Sequence, residues 1–351
     1  MKQKTIAFVA GKSGGHIIPC LTIAENKCAR ENERFNILFF SSNTDLDKKI
    51  LANNPLVSHH IMLPLSTRAG GLLKTLWHAL YSFIHSFFYL CKHRPTQIIT
   101  TGGIVAIPTC IAGFILRIPI TLYSLDAVPG KAIRFLTPLA TSIITCFEVS
   151  QRYFPARKCA VKPYPVKYQN MLRLPDKQTA LKSLSLSSEK KTIVVLGGSQ
   201  GSLFLNSCMK QLIENSYFNP ENIQIIHQTG SLDATNWKDF YIKKNITAYV
   251  FSYMPNLENI YAAADLIICR AGAGTLFEIQ FFNKPCIIIP LETNTTTHQV
   301  DNALAMTNQY PDMFFSIFQG EIKKNNNVLL QQINALLSIT KDKSLDKELL
   351  R

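Results

Sequence analysis

Three glycine-bearing turns carry the residue types that hold phosphate and move protons. The first, AGKSGGH at residues 10–16, sets Lys12, Ser13 and His16 among three glycines. Glycines between a strand and a helix let the backbone approach an anion and aim free N–H groups at it. The Gly-Lys-Ser triplet resembles a P-loop, but that motif requires glycine where Ile6 stands, and the GxGxxG spacing of dinucleotide sites is absent. Neither an NTPase nor a dinucleotide site follows; a tight turn with a buried His16 is the plain alternative. The second turn, GGSQGS at 197–202, suits a diphosphate cradle or a purely structural turn. The third, RAGAGT at 270–275, is followed by Glu278 in the first turns of a helix, where the carboxylate either faces a site or is simply solvated. Further on, TTTHQVDNA at 295–303 sets His298 and Gln299 at a helix start, placed to bond sugar hydroxyls or to form a surface turn.

Such turns need strands before them and helices after them. Short apolar runs alternate with amphipathic stretches throughout, the pattern of parallel strands crossed by helices. The runs predict strands at 5–10, 35–40, 97–100, 120–124 and 142–146 in the first half, and at 192–197, 223–228, 246–251, 265–269 and 285–290 in the second. Both halves read as α/β doubly wound sheets. The Pro- and Lys-rich stretch near 160–170 reads as the linker, giving an N-terminal domain over 1–163 and a C-terminal domain over 164–351. Ligands of such sheets sit beyond the carboxyl ends of the strands at the topological switch point, and two facing sheets predict a site in the cleft. A last helix after Asn325 can pack on either domain.

The chain has 351 residues, 47% hydrophobic and 17% charged, enough for two cores and unlike a disordered or repeat-built chain. Nine cysteines, odd in number, widely spaced and without a CxxC pair, point to a reducing compartment and to no zinc or redox site. The N-terminal apolar run is too short for a signal-peptide core. Net charge is +14, and residues 1–165 carry 19 Lys/Arg against 7 Asp/Glu. That asymmetry implies an anionic partner. The stretch LLKTLWHALYSFIHSFFYLCKHR at 72–94 is apolar and aromatic, but Lys74, His78 and His85 interrupt it. It reads as an amphipathic helix, half in the core and half at a membrane surface, with a fully buried helix as the alternative. No nucleic-acid-binding motif accompanies the basic residues.

The order of motifs, AGKSGGH, TTGGIVAIP, SLDAVPG, VVLGGSQGSLFLN, CRAGAGTLFE and THQVDNA, resembles the MurG family from about Ile6 to Ala303. That family transfers N-acetylglucosamine from UDP-GlcNAc to lipid I on the cytoplasmic face of the cell membrane, yielding lipid II. The resemblance implies the GT-B fold and a donor site made of Ser13, Gly14, Lys167, Ser199, Gln200, Gly201, Asn206, Met254, Arg270, Glu278, His298 and Gln299. In it the GGSQG turn holds the diphosphate, Glu278 the ribose, His298 and Gln299 the sugar, and the backbone near Met254 the uracil. For the acceptor it implies Gly14, Gly15, Gly102, Gly103 and Tyr123. Here the chain departs from the family: GGTGGH becomes Gly11-Lys12-Ser13-Gly14-Gly15-His16, GGY becomes Gly102-Gly103-Ile104, HEQN becomes Tyr123-Ser124-Leu125-Asp126, and GNPVR becomes Pro163-Tyr164-Pro165-Val166-Lys167.

The family inverts the anomeric carbon by direct attack of the acceptor hydroxyl, so one base and stabilisation of departing UDP suffice. His16 is the preferred base, since its ordinary pKa lies near neutrality; Asp126, where the family has asparagine, competes. No metal or cofactor is implied, because no DxD cluster ends a strand. The implied partners are UDP-GlcNAc, a polyprenyl-pyrophosphate-linked acceptor and an anionic membrane surface, with the protein peripheral on its cytoplasmic face. A transferase for another lipid such as diacylglycerol, and a non-catalytic nucleotide-sugar binder, are the competing readings.

Overall fold

The computed structural model describes residues 3–11, 13–31, 33–52, 54–64, 71–198, 200–215, 218–293, 298–325 and 327–345. The chain divides into two compact units, Met1–Asn170 and Met171–Arg351. The division falls seven residues beyond 163 because Tyr164, Val166 and Tyr168 are buried and the short turn Lys167–Asn170 packs on the first helix of the first unit. There the Asn170 Nδ2 donates to Asn26 Oδ1 at 2.5 Å.

In the first unit the order is β1 (Thr5–Val9), α1 (Gly14–Glu31), β2 (Asn36–Ser42), α2 (Asp45–Leu51), β3 (His59–Leu63), α3 (Gly71–His93), β4 (Ile98–Thr100), α4 (Ala106–Ile115), β5 (Ile120–Ser124), α5 (Lys131–Leu136), β6 (Ser142–Thr145) and β7 (Cys159–Val161). The strands form one parallel sheet, β3-β2-β1-β4-β5-β6-β7, so the order reverses between β1 and β4. Alternate residues feed two cores. Ile6, Phe8, Ile37 and Phe39 meet Ile17, Cys20 and Ile23 of α1 on one face. Ala7, Val9, Leu38 and Phe40 meet Leu90 of α3, Cys110 of α4 and Leu136 of α5 on the other. Burial on both faces is why these strands read as unbroken apolar runs. The edge strands β3 and β7 escape that reading, since HHIML and CAV are short and partly exposed.

The second unit follows the same plan: α6 (Lys177–Ser183), β8 (Lys191–Leu196), α7 (Leu203–Glu214), β9 (Ile223–Gln228), α8 (Trp237–Lys243), β10 (Ala248–Phe251), α9 (Glu258–Ala263), β11 (Leu266–Cys269), α10 (Ala273–Phe281), β12 (Cys286–Ile288), α11 (His298–Gln309), β13 (Phe314–Ser316), α12 (Gln319–Lys324) and α13 (Asn327–Leu345). Its six parallel strands run β10-β9-β8-β11-β12-β13, with the switch point between β8 and β11. Leu329, Ile333 and Leu336 of α13 join Ile193, Val195 and Ile268 in the core, so this helix packs on the C-terminal unit. Among the described residues no helix is long and apolar enough to cross a membrane.

Candidate active site

The turns after β8 and β11 flank the switch point of the second sheet, where a doubly wound sheet leaves room for a ligand. Ser199 lies outside the described residues, as do Lys12 and residues 295–297. Around Ser199 the turn is set by backbone. Gly198 and Gly201 have φ of +85° and +79°, and Gly201 N donates to Gly198 O at 3.0 Å. A Cβ on Gly201 would stand 2.5 Å from both Thr229 O and Gly230 Cα in the turn after β9, so only glycine fits. Gln200 is exposed at the tip. Ser202 caps α7, its Oγ accepting from Leu205 N, which leaves the start of α7 beside the glycine turn.

Arg270 reaches this same cap from β11. Its Nε donates to Ser202 Oγ at 2.9 Å, its Nη1 to Ile289 O and Pro290 O at 3.0 and 3.2 Å, and its Nη2 to Gln319 Oε1 at 3.1 Å. At 9% exposure, and lowered in pKa by burial, the guanidinium ties the ends of β8, β12 and β13 together. Next to it, Gln299 Oε1 accepts from Ala271 N at 3.3 Å and Leu291 N at 3.0 Å, and Asn302 Nδ2 donates to Ala271 O at 3.2 Å. Thus α11 is pinned to the third glycine turn. His298 opens α11 half-buried, and its enclosed Nδ1 has no hydrogen-bond partner among the described residues. Glu278 stands in the second turn of α10, where Oε2 accepts from the buried Tyr261 hydroxyl at 2.7 Å. Met254 is half-buried in the loop after β10, on the same carboxyl edge. Asn206, fully buried on α7, donates to Thr229 O at 3.0 Å.

In the first unit, His16 lies in the opening turn of α1, half-buried, with Ser13 O accepting from its backbone N–H at 3.2 Å. Thr101 Oγ1 donates to His16 O at 3.0 Å, and Thr100 Oγ1 to Val9 O at 2.7 Å. These bonds hold the β4 turn against the β1 turn. Gly102 and Gly103 have φ of +100° and +86°, and Gly14 and Gly15 start α1 on the neighbouring strand's turn. Asp126 follows β5, half-buried; Ser150 Oγ lies 3.0 Å from Asp126 O and 2.8 Å from Ala127 O, which fixes its loop. Strand β4 separates β1 from β5, so the strand ends leading to His16 and Asp126 stand about 10 Å apart. Tyr123 is turned toward the α1-side core, and burial pushes its hydroxyl up to about 12. Lys167 belongs to the first unit, its Nζ 4.8 Å from the Tyr168 ring centroid.

Comparison with known proteins decides the family. Residues 6–145 match the glycosyltransferase family 28 N-terminal domain and residues 192–341 its C-terminal domain. A UDP-N-acetylglucosamine–N-acetylmuramyl-(pentapeptide) pyrophosphoryl-undecaprenol N-acetylglucosamine transferase of Halothermothrix orenii is 32% identical, over 86% of this chain and 82% of its own. One of the same name from Protochlamydia amoebophila is 31% identical, over 92% and 83%. This chain belongs to the MurG family. The crystal structure of Acinetobacter baumannii MurG superposes with a TM-score of 0.71 at 22% identity, covering 95% of this chain and 91% of that one. The shared architecture is two Rossmann-like domains, the GT-B fold. Within this MurG family member, Tyr261, Gln319 and Asn302 support the site without having been expected. Tyr261 and Gln319 lie in segments that carry no site motif, and Asn302 lies inside THQVDNA, but only the fold brings them to Glu278, Arg270 and Ala271.

Proposed function

We propose that this protein transfers N-acetylglucosamine from UDP-GlcNAc to undecaprenyl-pyrophosphoryl-MurNAc-pentapeptide, lipid I, giving lipid II. The carrying observation is that relatives bearing that activity in their names align at 31 and 32% over most of both chains. The unaltered glycine turn and the Glu278–Tyr261 pair in the second unit supply its chemistry. In this reading the glycine turn before α7 and the start of that helix take up charge as UDP departs. Glu278, oriented by Tyr261, accepts hydrogen bonds from the ribose, and the group of His298 and Gln299 faces the sugar. Arg270 acts chiefly by holding three strand ends in register, with four of its five N–H groups engaged in doing so.

The acceptor hydroxyl attacks the anomeric carbon as UDP leaves, and His16 removes its proton. The charge runs from the hydroxyl oxygen to the departing diphosphate, and no covalent enzyme intermediate is needed. Acceptor contacts come from Gly14, Gly15, Gly102 and Gly103, whose turns are bonded together through Thr100 and Thr101. The protein acts peripherally at the cytoplasmic face of the membrane through the exposed side of α3. Radiolabelled transfer from UDP-GlcNAc to lipid I, to diacylglycerol and to no lipid tests the reading. Label in lipid II is expected; label only in diacylglycerol, or binding of UDP with no transfer to any acceptor, would replace it.

A further inference from the structure

Behind the donor turn lies a set of polar side chains, buried except for the half-buried Asp233, that the proposed chemistry does not use. His227, on β9, is fully buried. Its Nε2 lies 3.0 Å from Asn206 Oδ1 on α7, and its Nδ1 lies 2.9 Å from the Tyr241 hydroxyl on α8. The Asn206 amide fixes the direction of each bond. Asn206 Nδ2 faces Thr229 O at 3.0 Å and Asp233 Oδ2 at 2.7 Å, two atoms that only accept, so the amide nitrogen must point there. Its Oδ1 therefore faces His227 and can only accept. Hence Nε2 carries the proton, and Nδ1 accepts from Tyr241.

Asp233 completes the set, Oδ2 accepting also from Trp237 Nε1 at 3.1 Å and Oδ1 from Thr235 N at 2.9 Å. Burial alone would push this carboxyl up; the bonds from Thr235, Asn206 and Trp237 outweigh it and hold it at about 2. Burial likewise pushes His227 down to about 4, against the pull of Asp233. The histidine is neutral in the folded protein, as the two bonds require.

The set ends at one backbone atom. Thr229 O, held by Asn206, lies 2.5 Å from where a Cβ on Gly201 would stand, so the two turns approach as closely as only glycine permits. A shift of that carbonyl moves the second glycine turn. We propose that His227, fixed as the Nε2–H tautomer between Tyr241 and Asn206, is a positioning residue that sets the diphosphate-binding turn through Asn206, Thr229 and Gly201. This rests on the donor-site reading above.

UDP titrations and steady-state transfer with the full chain test it. Tyr241→Phe removes one hydroxyl and leaves the ring packing, and should raise both the UDP Kd and the KM for UDP-GlcNAc about fivefold, the scale of one net hydrogen bond, with kcat within about twofold. His227→Phe should do more, and His227→Gln, which keeps a donor and an acceptor, should restore part of the loss. Ile225→Val on the same strand loses packing only and should leave KM unchanged. Histidine ¹⁵N spectra at pH 7 should show the neutral Nε2–H form. Unchanged UDP affinity in Tyr241→Phe, an equal KM shift in Ile225→Val, or an Nδ1–H or doubly protonated ring would overturn the positioning role. Should His227→Phe fail to fold, Tyr241→Phe and the spectrum decide alone. Glu278→Ala separates the two readings: if it weakens UDP binding while Tyr241→Phe does not, only the positioning role falls. If the unmodified chain binds no UDP, the donor site falls and the positioning role with it.

Discussion

Glu278 shows how much one contact alters a residue's meaning. In the sequence its carboxylate is one of many on helices. In the fold it accepts from Tyr261, a hydroxyl buried in the second unit, so the side chain is held in one rotamer before any ligand arrives. Charge-assisted bonds of such a group to a ribose contribute roughly 1.5 to 3 kcal/mol each. Glu278→Ala should therefore weaken UDP binding at least tenfold, with Tyr261→Phe giving a smaller loss through orientation alone; calorimetric titration of UDP reads both. Unchanged affinity in Glu278→Ala would take this residue out of the donor site. At the acceptor edge the choice lies between His16 and Asp126, whose strand ends β4 separates. Single-turnover transfer at saturating donor should fall about a hundredfold or more in His16→Ala and less in Asp126→Asn. The reverse order would make Asp126 the base.

At the scale of elements, the strands were legible because both sheets are buried on both faces, so TIAFVA, TIVVLG and DLIIC carry no polar alternation to confuse them. Three of the four edge strands were not, since β3, β7 and β13 are short and mixed, and their pairing is settled by the neighbour's register. The glycine turns were legible as turns, because positive φ at Gly102, Gly198 and Gly201 needs glycine. What they touch was not. Arg270 looked like a ligand-facing cation, yet its donors go to Ser202, two carbonyls and Gln319, groups up to 68 residues away that only β-strand order assembles. The α7–β9–α8 layer carries a pH consequence as well. His227 binds a proton near pH 6.5 when unfolded but only near 4 in the fold. Its contribution is complete above pH 6.5 and is lost as pH falls toward 4, where the unfolded state alone has taken up the proton. Integrated over that window this costs about 3 kcal/mol as an upper figure. Urea melts between pH 7 and 4.5 should show the loss, and Tyr241 and Trp237 fluorescence should report it; His227→Gln should flatten the slope. An equal slope in that variant would place the acid sensitivity elsewhere.

Across the molecule, charge and apolar surface are both concentrated in the first unit. Helix α3 divides as its 3.6-residue period requires: Phe83, Phe87 and Leu90 face the core, while Leu76, Trp77, Leu80, Ile84 and Phe88 face outward, Trp77 at 66% exposure and Phe88 at 59%. Phe87 thus lies on the core half of this amphipathic helix. Ser86 Oγ, 2.9 Å from Thr109 Oγ1, locks α3 to α4, and α4 adds exposed Phe114 and Ile115. Lys74, Lys92, Arg94 and Arg117 are exposed on the same two helices and the turns that end them. So much apolar surface beside cations fits a bilayer with anionic headgroups, each cation adding about 1 kcal/mol near the surface. Changing Trp77, Ile84 and Phe88 together to Gln should release the protein from phosphatidylglycerol vesicles while leaving its melting temperature and its UDP affinity in place. Raising salt to about 0.5 M should weaken the unmodified protein's binding only in part, since screening removes the charge contribution and spares the apolar one. Phe87→Gln should behave in the opposite way, destabilising the fold by about 2 kcal/mol with little effect on the vesicle affinity of the molecules that remain folded. Release by Phe87→Gln without loss of stability, or retention by the triple variant, would move the membrane contact off this face of α3.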